Sequence, residues 1–334
     1  MNNVYDPIII ESSIIVIGLL SFILSGVREY MAVSVYNVKD YGAVGDGQTD
    51  DTKEMEDFMD KELLHGLITN AKRYSIANPY PSFVTNANIS NISLVDSKFF
   101  HIHIFESRNI TFDSIGINAP GDSPNTDGIH IADSTNIQVA NSVIGTGDDC
   151  ISIGPGCTNL TIFNVLCGPG HGISIGSLGR NVDEKDVIKL KVRKCNLTGT
   201  TNGLRIKTWQ SSLSRMKATN FLFEHIIMNT VYNPIIIDQN YCPNGNCPGK
   251  DPSLVKIKNI KYRNITGTFA SLVAYKLVCS EAAPCEGVEL SDINLEYNGK
   301  DKQAKNATSI CVHVYGSSNG NLEDPKSPLL RSEG

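Results

Sequence analysis

The chain has 334 residues, 41% of them hydrophobic, and a formal net charge of −6. That length fits one large β domain or two ordinary ones and carries enough apolar residues for a sizeable core. The acidic balance argues against a general nucleic-acid binder, and the short basic run at 189–194 (KLKVRK) reads as a solvated edge.

The first element is an apolar run at 14–24 (IIVIGLLSFIL), with small residues following at Ala32, Val33 and Ser34. It has the length of a secretory-leader core and is short for a membrane span. Asp6 and Glu11 precede it and no Lys or Arg does, so a signal anchor or a buried segment stay open. Residues 1–34 are expected to be a leader. Seven sequons, at Asn88, Asn91, Asn109, Asn159, Asn196, Asn264 and Asn306, lean the same way. So do the nine cysteines, of which Cys242/Cys247 and Cys279/Cys285 are close enough to predict local disulfides. Small buried hydrophobes are the alternative reading, and an odd total leaves at least one thiol unpaired within the chain. No Cys/His spacing reads as a zinc site.

Residues 37–52 (NVKDYGAVGDGQTDDT) predict a strand and a Gly-rich turn. The Gly-x-Gly at 45–47 lacks the third glycine and the βαβ context of a dinucleotide fingerprint. The run 50–67 places Met55, Phe58, Met59, Leu63, Leu64 and Leu67 at roughly helical spacing, which predicts a helix capping an open end of the fold.

From residue 88 onward the chain repeats. Short strand patterns begin at Ile129, Ile151, Ile173, Leu204 and Ile235, offset by 22, 22, 31 and 31 residues. A second series begins at Asn109, Asn136, Asn159 and Asn220. Each element alternates Ile, Val, Leu or Phe with small polar residues, and Gly, Asn, Asp and Ser mark the turns. The pattern predicts an all-β fold, a right-handed parallel β-helix, in which stacked coils bury a face that no single coil can bury. Asn residues at equivalent turns could stack and hydrogen-bond along the axis. A sandwich would need antiparallel hairpins with two-residue turns, and a leucine-rich repeat a regular Leu pattern. One domain over 35–316 is expected, with residues 317–334 as a flexible extension.

Asp127 and Asp149 are one 22-residue repeat apart, so they can stack on adjacent coils, roughly 4.7–4.9 Å apart along the axis. Asp148 adjoins them, and His171 lies 22 residues beyond Asp149. Alternation puts Arg205 and Lys207 on one strand face with Ile206 opposite. Crowded carboxyls raise at least one pKa, which suits the acid and base of glycoside hydrolysis, and the two cations suit an anionic sugar. Taken alone, these residues also fit a solvated Asp-Asp turn, a calcium site without an EF-hand loop, a carbohydrate-binding solenoid without turnover, or a purely structural one.

The blocks NTDG (125–128), GDDC (147–150), GHG (170–172), RIK (205–207) and NYC (240–242) closely resemble the plant polygalacturonases of glycoside hydrolase family 28, most of all the exo-acting pollen-type branch. The resemblance runs over about residues 33–58 and 82–315. It implies a pectin-lyase-like solenoid, secreted to the plant cell wall, that hydrolyses α-1,4 links of polygalacturonate (demethylated pectin) with inversion, as a monomer with no obligate protein partner. It implies Asp148 as general acid, Asp127 and Asp149 as the pair that activates water, and His171 as support for the acid's protonation. Arg205, Lys207, Tyr241 and Asn125 would contact substrate, and Cys150 and Cys167 would be a family disulfide. No metal or organic cofactor is implied. Two departures carry expectations of their own. Several N-terminal coils present in the family are missing between the opening block and residue 83, which predicts an exposed coil end. A Ser-rich stretch replaces the Gly-rich one after Trp209, which predicts a disturbed turn behind Arg205 and Lys207. Endo action, rhamnogalacturonan hydrolysis, a pectin-binding solenoid of weak or no activity, and a non-productive truncated chain are the alternative functions.

Overall fold

The structure, a computed structural model, describes residues 15–18, 34–36, 38–44, 49, 53–54, 83–97, 99–243, 245, 247, 249, 251–300 and 308–322. Most of these residues form strands wound into a parallel β-helix, as the repeat predicts. One face is a sheet of eight parallel strands: Ile102–Phe105, Ile129–Ala132, Ile151–Ile153, Ile173–Leu178, Asn202–Trp209, Asn233–Tyr241, Val273–Val278 and Thr308–Val312. Its register pairs Ile129, Ile151, Ile173, Leu204 and Ile235 in one column, the same residues whose spacing defines the repeat. All five are buried. Each such side chain contributes about 1.5–3 kcal/mol by leaving water, and only the stacked neighbours make that burial possible.

A second face carries the Asn-led series: Thr85–Ser90, Arg108–Asp113, Thr135–Ala140, Thr158–Phe163 and Val187–Arg193. It continues into Lys217–Val231, Lys256–Phe269 and Cys285–Tyr297. These three strands are long because each turns the corner onto a third face without breaking its ladder. The corner residues, His225, Asn264 and Asp292, take φ of 56°, 49° and 54°. In the earlier coils Asn141, Asn164 and Lys194 do the same at the break between two strands.

The expected Asn stack is present. Asn109 Nδ2 donates to Asn86 Oδ1 at 2.8 Å, Asn136 to Asn109 at 2.8 Å and Asn159 to Asn136 at 2.7 Å. All four have φ of 56–60°, a region in which Asn is among the few side chains tolerated. The basic run at 189–194 is a solvated face: Lys189, Lys191 and Lys194 are exposed and Arg193 pairs with Glu224 at 2.9 Å.

At the N-terminal end, Ile15–Gly18 pairs antiparallel with Ser34–Tyr36 and with Thr85–Ser90. Five residues of the expected leader, 15–18 and Ser34, thus lie in strands beside the first coil. Phe83 and Phe99 are exposed at that end, while Val84, Ile89, Ile102 and Ile104 of the first coil are buried. Of the helix expected over 50–67, Lys53 and Glu54 are helical; Met55, Phe58, Met59, Leu63, Leu64 and Leu67 lie outside the described residues, as do Gly45, Gly47 and the Asn306 sequon. The boundary expected at residue 317 needs correction. Val314–Leu322 is a strand paired in parallel with Cys285–Tyr297, so the solenoid runs through Ser317. Its Ser, Asn and Gly residues look like loop, but an edge ladder accepts them, and Gly320 supplies a corner at φ 74°.

Among the described residues, three buried side-chain oxygens lack a hydrogen-bond partner, those of Thr200, Ser211 and Tyr262, and Tyr262 lies in the hydrophobic core. Tyr262 is fully buried and stacks on Phe223 with ring centroids 4.9 Å apart, and its hydroxyl makes no hydrogen bond. Tyr262→Phe is expected to stabilise the fold by about 1 kcal/mol, since it removes a desolvated hydroxyl and keeps the ring. Urea denaturation checks this; an unchanged or lower midpoint contradicts it.

Candidate active site

The acids sit where the eight-stranded face meets its preceding turn. Asp127 and Asp149 each stand two residues before a strand, ahead of Ile129 and Ile151, which pair directly. Gly128 N–H donates to the Asp149 carbonyl at 2.9 Å, so the two aspartates occupy equivalent places on adjacent coils. Two glycines make the turns possible. A Cβ on Gly147 would lie 2.0 Å from the Ser123 carbonyl oxygen, and one on Gly170 2.5 Å from that of Asp148. Gly170 also has φ 128°, a conformation side chains rarely adopt. These contacts explain glycine beside the acids in GDDC and GHG.

Asp149 is buried and held by three donors. Ser174 Oγ donates to Oδ1 at 2.7 Å, Arg205 Nη2 to Oδ1 at 2.8 Å, and Lys207 Nζ to Oδ2 at 3.2 Å. Ile206 points into the core between the two cations, as strand alternation requires. Asp148 is more open, with about a quarter of its side chain exposed. Its Oδ1 accepts from the Asp149 N–H at 2.8 Å and lies 2.9 Å from His171 Nδ1. The 22-residue offset put His171 in line with Asp149, and its backbone N–H does bond the Asp148 carbonyl, but its ring turns to Asp148.

The charges are unequal. Burial raises the Asp127 carboxyl to about 7; neighbouring Asp149 and Asp148 push the same way, against the Ser152 hydrogen bond and Lys207. Burial also acts to raise Asp148, but the hydrogen bond and charge of His171, the Asp149 N–H and Lys207 outweigh it and leave it below the ordinary range. His171 is raised, chiefly by its bond to Asp148. At rest, then, the Asp148–His171 pair holds its proton on the ring, and the Asp127–Asp149 pair holds one on Asp127 below neutral pH.

Tyr241 lies beside the cations, with Lys207 Nζ 5.4 Å from its ring centre and Trp209 edge-on at 5.7 Å. Arg180 covers the Trp209 ring at 5.5 Å, and Trp209 Nε1 donates to Ser177 Oγ. Asn125 is exposed at the lip, with φ 58°. The predicted residues therefore gather on one face, with Asn125 at its edge. The Ser-rich stretch does not disturb it: Ser211 itself takes φ 58°, buried Ser212 donates to the Gly179 carbonyl at 2.6 Å, and Arg205 and Lys207 reach Asp149.

Sequence reasoning missed Ser152, Ser174, His130 and His101. Ser152 Oγ donates to Asp127 Oδ2 at 2.6 Å and lies 2.7 Å from His130 Nδ1. His101, fully buried, donates through Nδ1 to the Asp127 carbonyl at 3.1 Å. For Ser152, Ser174 and His130 the only sequence signal is a polar residue at the middle position of each strand triplet, and His101 stands just before its strand. One oxygen each of Asp148 and Asp149 and one ring nitrogen of His171 lie close enough to share a metal ion. Arg205 and Lys207 already place two positive charges on Asp149, which disfavours a third.

All three predicted disulfides form: Cys150–Cys167, Cys242–Cys247 and Cys279–Cys285. Cys150 follows Asp149 directly, and its bridge to Cys167 closes a loop between the coils that carry the acids, a constraint of about 3 kcal/mol. Cys157 and Cys195 are buried thiols, their pKa values raised by burial to about 12 and 11.

The family model for Glycosyl hydrolases family 28 matches residues 28–314. A polygalacturonase of Brassica napus is 49% identical over 256 residues, which cover 75% of this chain and 63% of the relative. An exopolygalacturonase of Zea mays is 45% identical over 242 residues, 72% of this chain and 58% of the relative. The solved polygalacturonase from Erwinia carotovora ssp. carotovora is 26% identical with a TM-score of 0.54, covering 70% of this chain and 57% of that one. The chain thus spans less than two thirds of the length of these proteins. The match runs through every coil that carries the acids and cations, and the chain belongs to glycosyl hydrolase family 28.

Proposed function

We propose that the protein hydrolyses α-1,4-galacturonosyl links of polygalacturonate with inversion, acting from a chain end as a monomer. The observation that carries this is the pairing of two cations with three crowded carboxyls, one of them open to solvent. An anionic sugar suits Arg205 and Lys207, and family membership and the relatives' names support the same substrate and exo action.

Asp148 is the acid because it alone of the three carboxyls is open enough to reach a glycosidic oxygen. A substrate carboxylate near Lys207 offsets one of the charges that hold Asp148 low, and the His171 proton passes to Asp148. Asp148 then gives it to the leaving oxygen as the bond to the anomeric carbon breaks. Asp149, ionised beside protonated Asp127, takes a proton from the water that attacks the opposite side of that carbon. One water is consumed, and the new hydroxyl has the inverted configuration.

Residues 1–34 are proposed as a secretory leader, so that export to the cell wall removes the Ile15–Gly18 strand from the first coil. One experiment tests both proposals: protein recovered from the medium of a plant or yeast host is sequenced at its N-terminus and given polygalacturonate. Mature protein starting near residue 35 and release of mostly monogalacturonate are expected. Mixed oligomers indicate endo action. Bound but uncleaved polymer, the result expected of a pectin-binding solenoid, overturns the hydrolase reading.

A further inference from the structure

Four consecutive coils place His130, Ser152, Ser174 and Arg205 in one column of the eight-stranded face. The two inner residues are serines, and each bonds a different acid. Ser152 Oγ donates to Asp127 Oδ2, and Ser174 Oγ donates to Asp149 Oδ1. The two outer residues are nitrogen donors that back the serines. Arg205 Nε donates to Ser174 Oγ at 2.9 Å, and His130 Nδ1 lies 2.7 Å from Ser152 Oγ. A hydroxyl has one proton. If Ser152 spends it on an ionised Asp127, its oxygen must accept from His130, which fixes the imidazole proton on Nδ1.

We infer that His130 and Ser152 are positioning residues for Asp127, a neutral counterpart of the Arg205–Ser174 relay on Asp149, and that the contrast between imidazole and guanidinium makes the two acids unequal partners in activating water. A permanent cation behind Ser174 also bonds Asp149, the carboxyl that receives the proton. A neutral ring behind Ser152 orients Asp127 while letting it carry one. His130 suits a neutral role: burial, with His103 and Lys207 facing it, lowers it to about 3. Its ring stacks on Phe100 at 4.6 Å and lies 5.1 Å from His103, itself lowered by burial to about 4. Asp127 faces Asp149, Asp148 and Lys207 as well as Ser152, and its carbonyl is held by His101. With those groups unchanged, loss of the Ser152 donor raises the Asp127 pKa.

The kinetic part of this inference rests on the proposed hydrolysis; the geometric part does not. Nitrogen-15 NMR of histidine-labelled protein at pH 8 is expected to show His130 neutral with its proton on Nδ1, and that proton's resonance is expected to move in Ser152→Ala. A proton on Nε2, or a ring titrating near 6.5, overturns the relay whether or not the enzyme turns over. In kinetics, Ser152→Ala is expected to lower kcat about 10-fold or more with little change in KM, and to move the alkaline limb of the pH profile upward, since protonated Asp127 is the active form. His130→Leu should match it, whereas His130→Asn, which keeps an N–H donor, should recover most of the activity. An unmoved alkaline limb in Ser152→Ala overturns the positioning role. If wild-type protein releases no sugar, the hydrolase reading fails and the NMR result still decides the relay.

Discussion

Asp148→Asn is expected to lower kcat in the proposed hydrolysis of polygalacturonate by about 10²–10⁴-fold and to leave substrate affinity within a few-fold of wild type. The substitution is nearly isosteric. An amide oxygen can still accept from the Asp149 N–H and from His171 Nδ1, so the GDDC turn and the ring keep their places. The cations that would grip the substrate are held by Asp149 and are unaffected. What is lost is a proton that can be given to the leaving oxygen. Two side effects separate this result from simple damage. His171 loses the carboxylate that chiefly raises it, so its titration moves down. Asp127 loses one repelling neighbour, so its own pKa falls as well. Initial rates of reducing-end release, with calorimetric binding of an oligogalacturonate, measure both halves. A variant within tenfold of wild type in kcat removes Asp148 from the role of acid.

Much of this architecture is legible in the sequence because a solenoid turns sequence offset into spatial adjacency. The offsets from Ile129 through Ile235 are the observed register, so the stacking of Asp127 on Asp149 follows from counting. Arg205 and Lys207 share a partner because strand side chains alternate, a local property. Asn109, Asn136 and Asn159 stack because each recurs at the same point of its coil. Other features depend on contacts that no spacing rule singles out. Ser152 and Ser174 are small polar residues of the kind found at many outward positions, and only the direction of each hydroxyl shows which acid it serves. His171 lines up with Asp149 by offset but bonds Asp148, because a ring reaches sideways across the turn. At the C-terminal end, composition misled: Ser, Asn and Gly at 316–320 look like loop, yet the exposed ladder of Cys285–Tyr297 draws them into a strand.

Asp127→Asn is expected to make the folded protein more stable at pH 8 by about 4 kcal/mol, to leave it almost unchanged at pH 4, and to abolish most of the proposed activity. The sign follows from the raised carboxyl. In the unfolded chain Asp127 ionises at its ordinary value of 3.8; in the folded protein it does so at about 7. Between those values the native state binds more protons than the unfolded one, so stability falls as pH rises through that window, and above it the full cost of a buried, repelled charge is present. Asparagine is neutral throughout. It can still accept from Ser152, and it relieves Asp149 and Asp148 of a like charge. At pH 4 the native wild-type carboxyl is protonated already, so nothing remains to be relieved. Urea midpoints of both proteins across pH 4–8 should therefore coincide at the acid end and separate steadily toward neutrality, levelling off above about pH 7. Parallel curves, or a variant less stable at pH 8, mean that Asp127 is ionised without strain in the native state. In that case the shared proton on the Asp127–Asp149 pair goes too. If the curves separate as expected, the stability recovered at pH 8 is the free energy the fold gives up to keep two carboxyls together on adjacent coils, a cost expected of a site built for proton transfer rather than for stability.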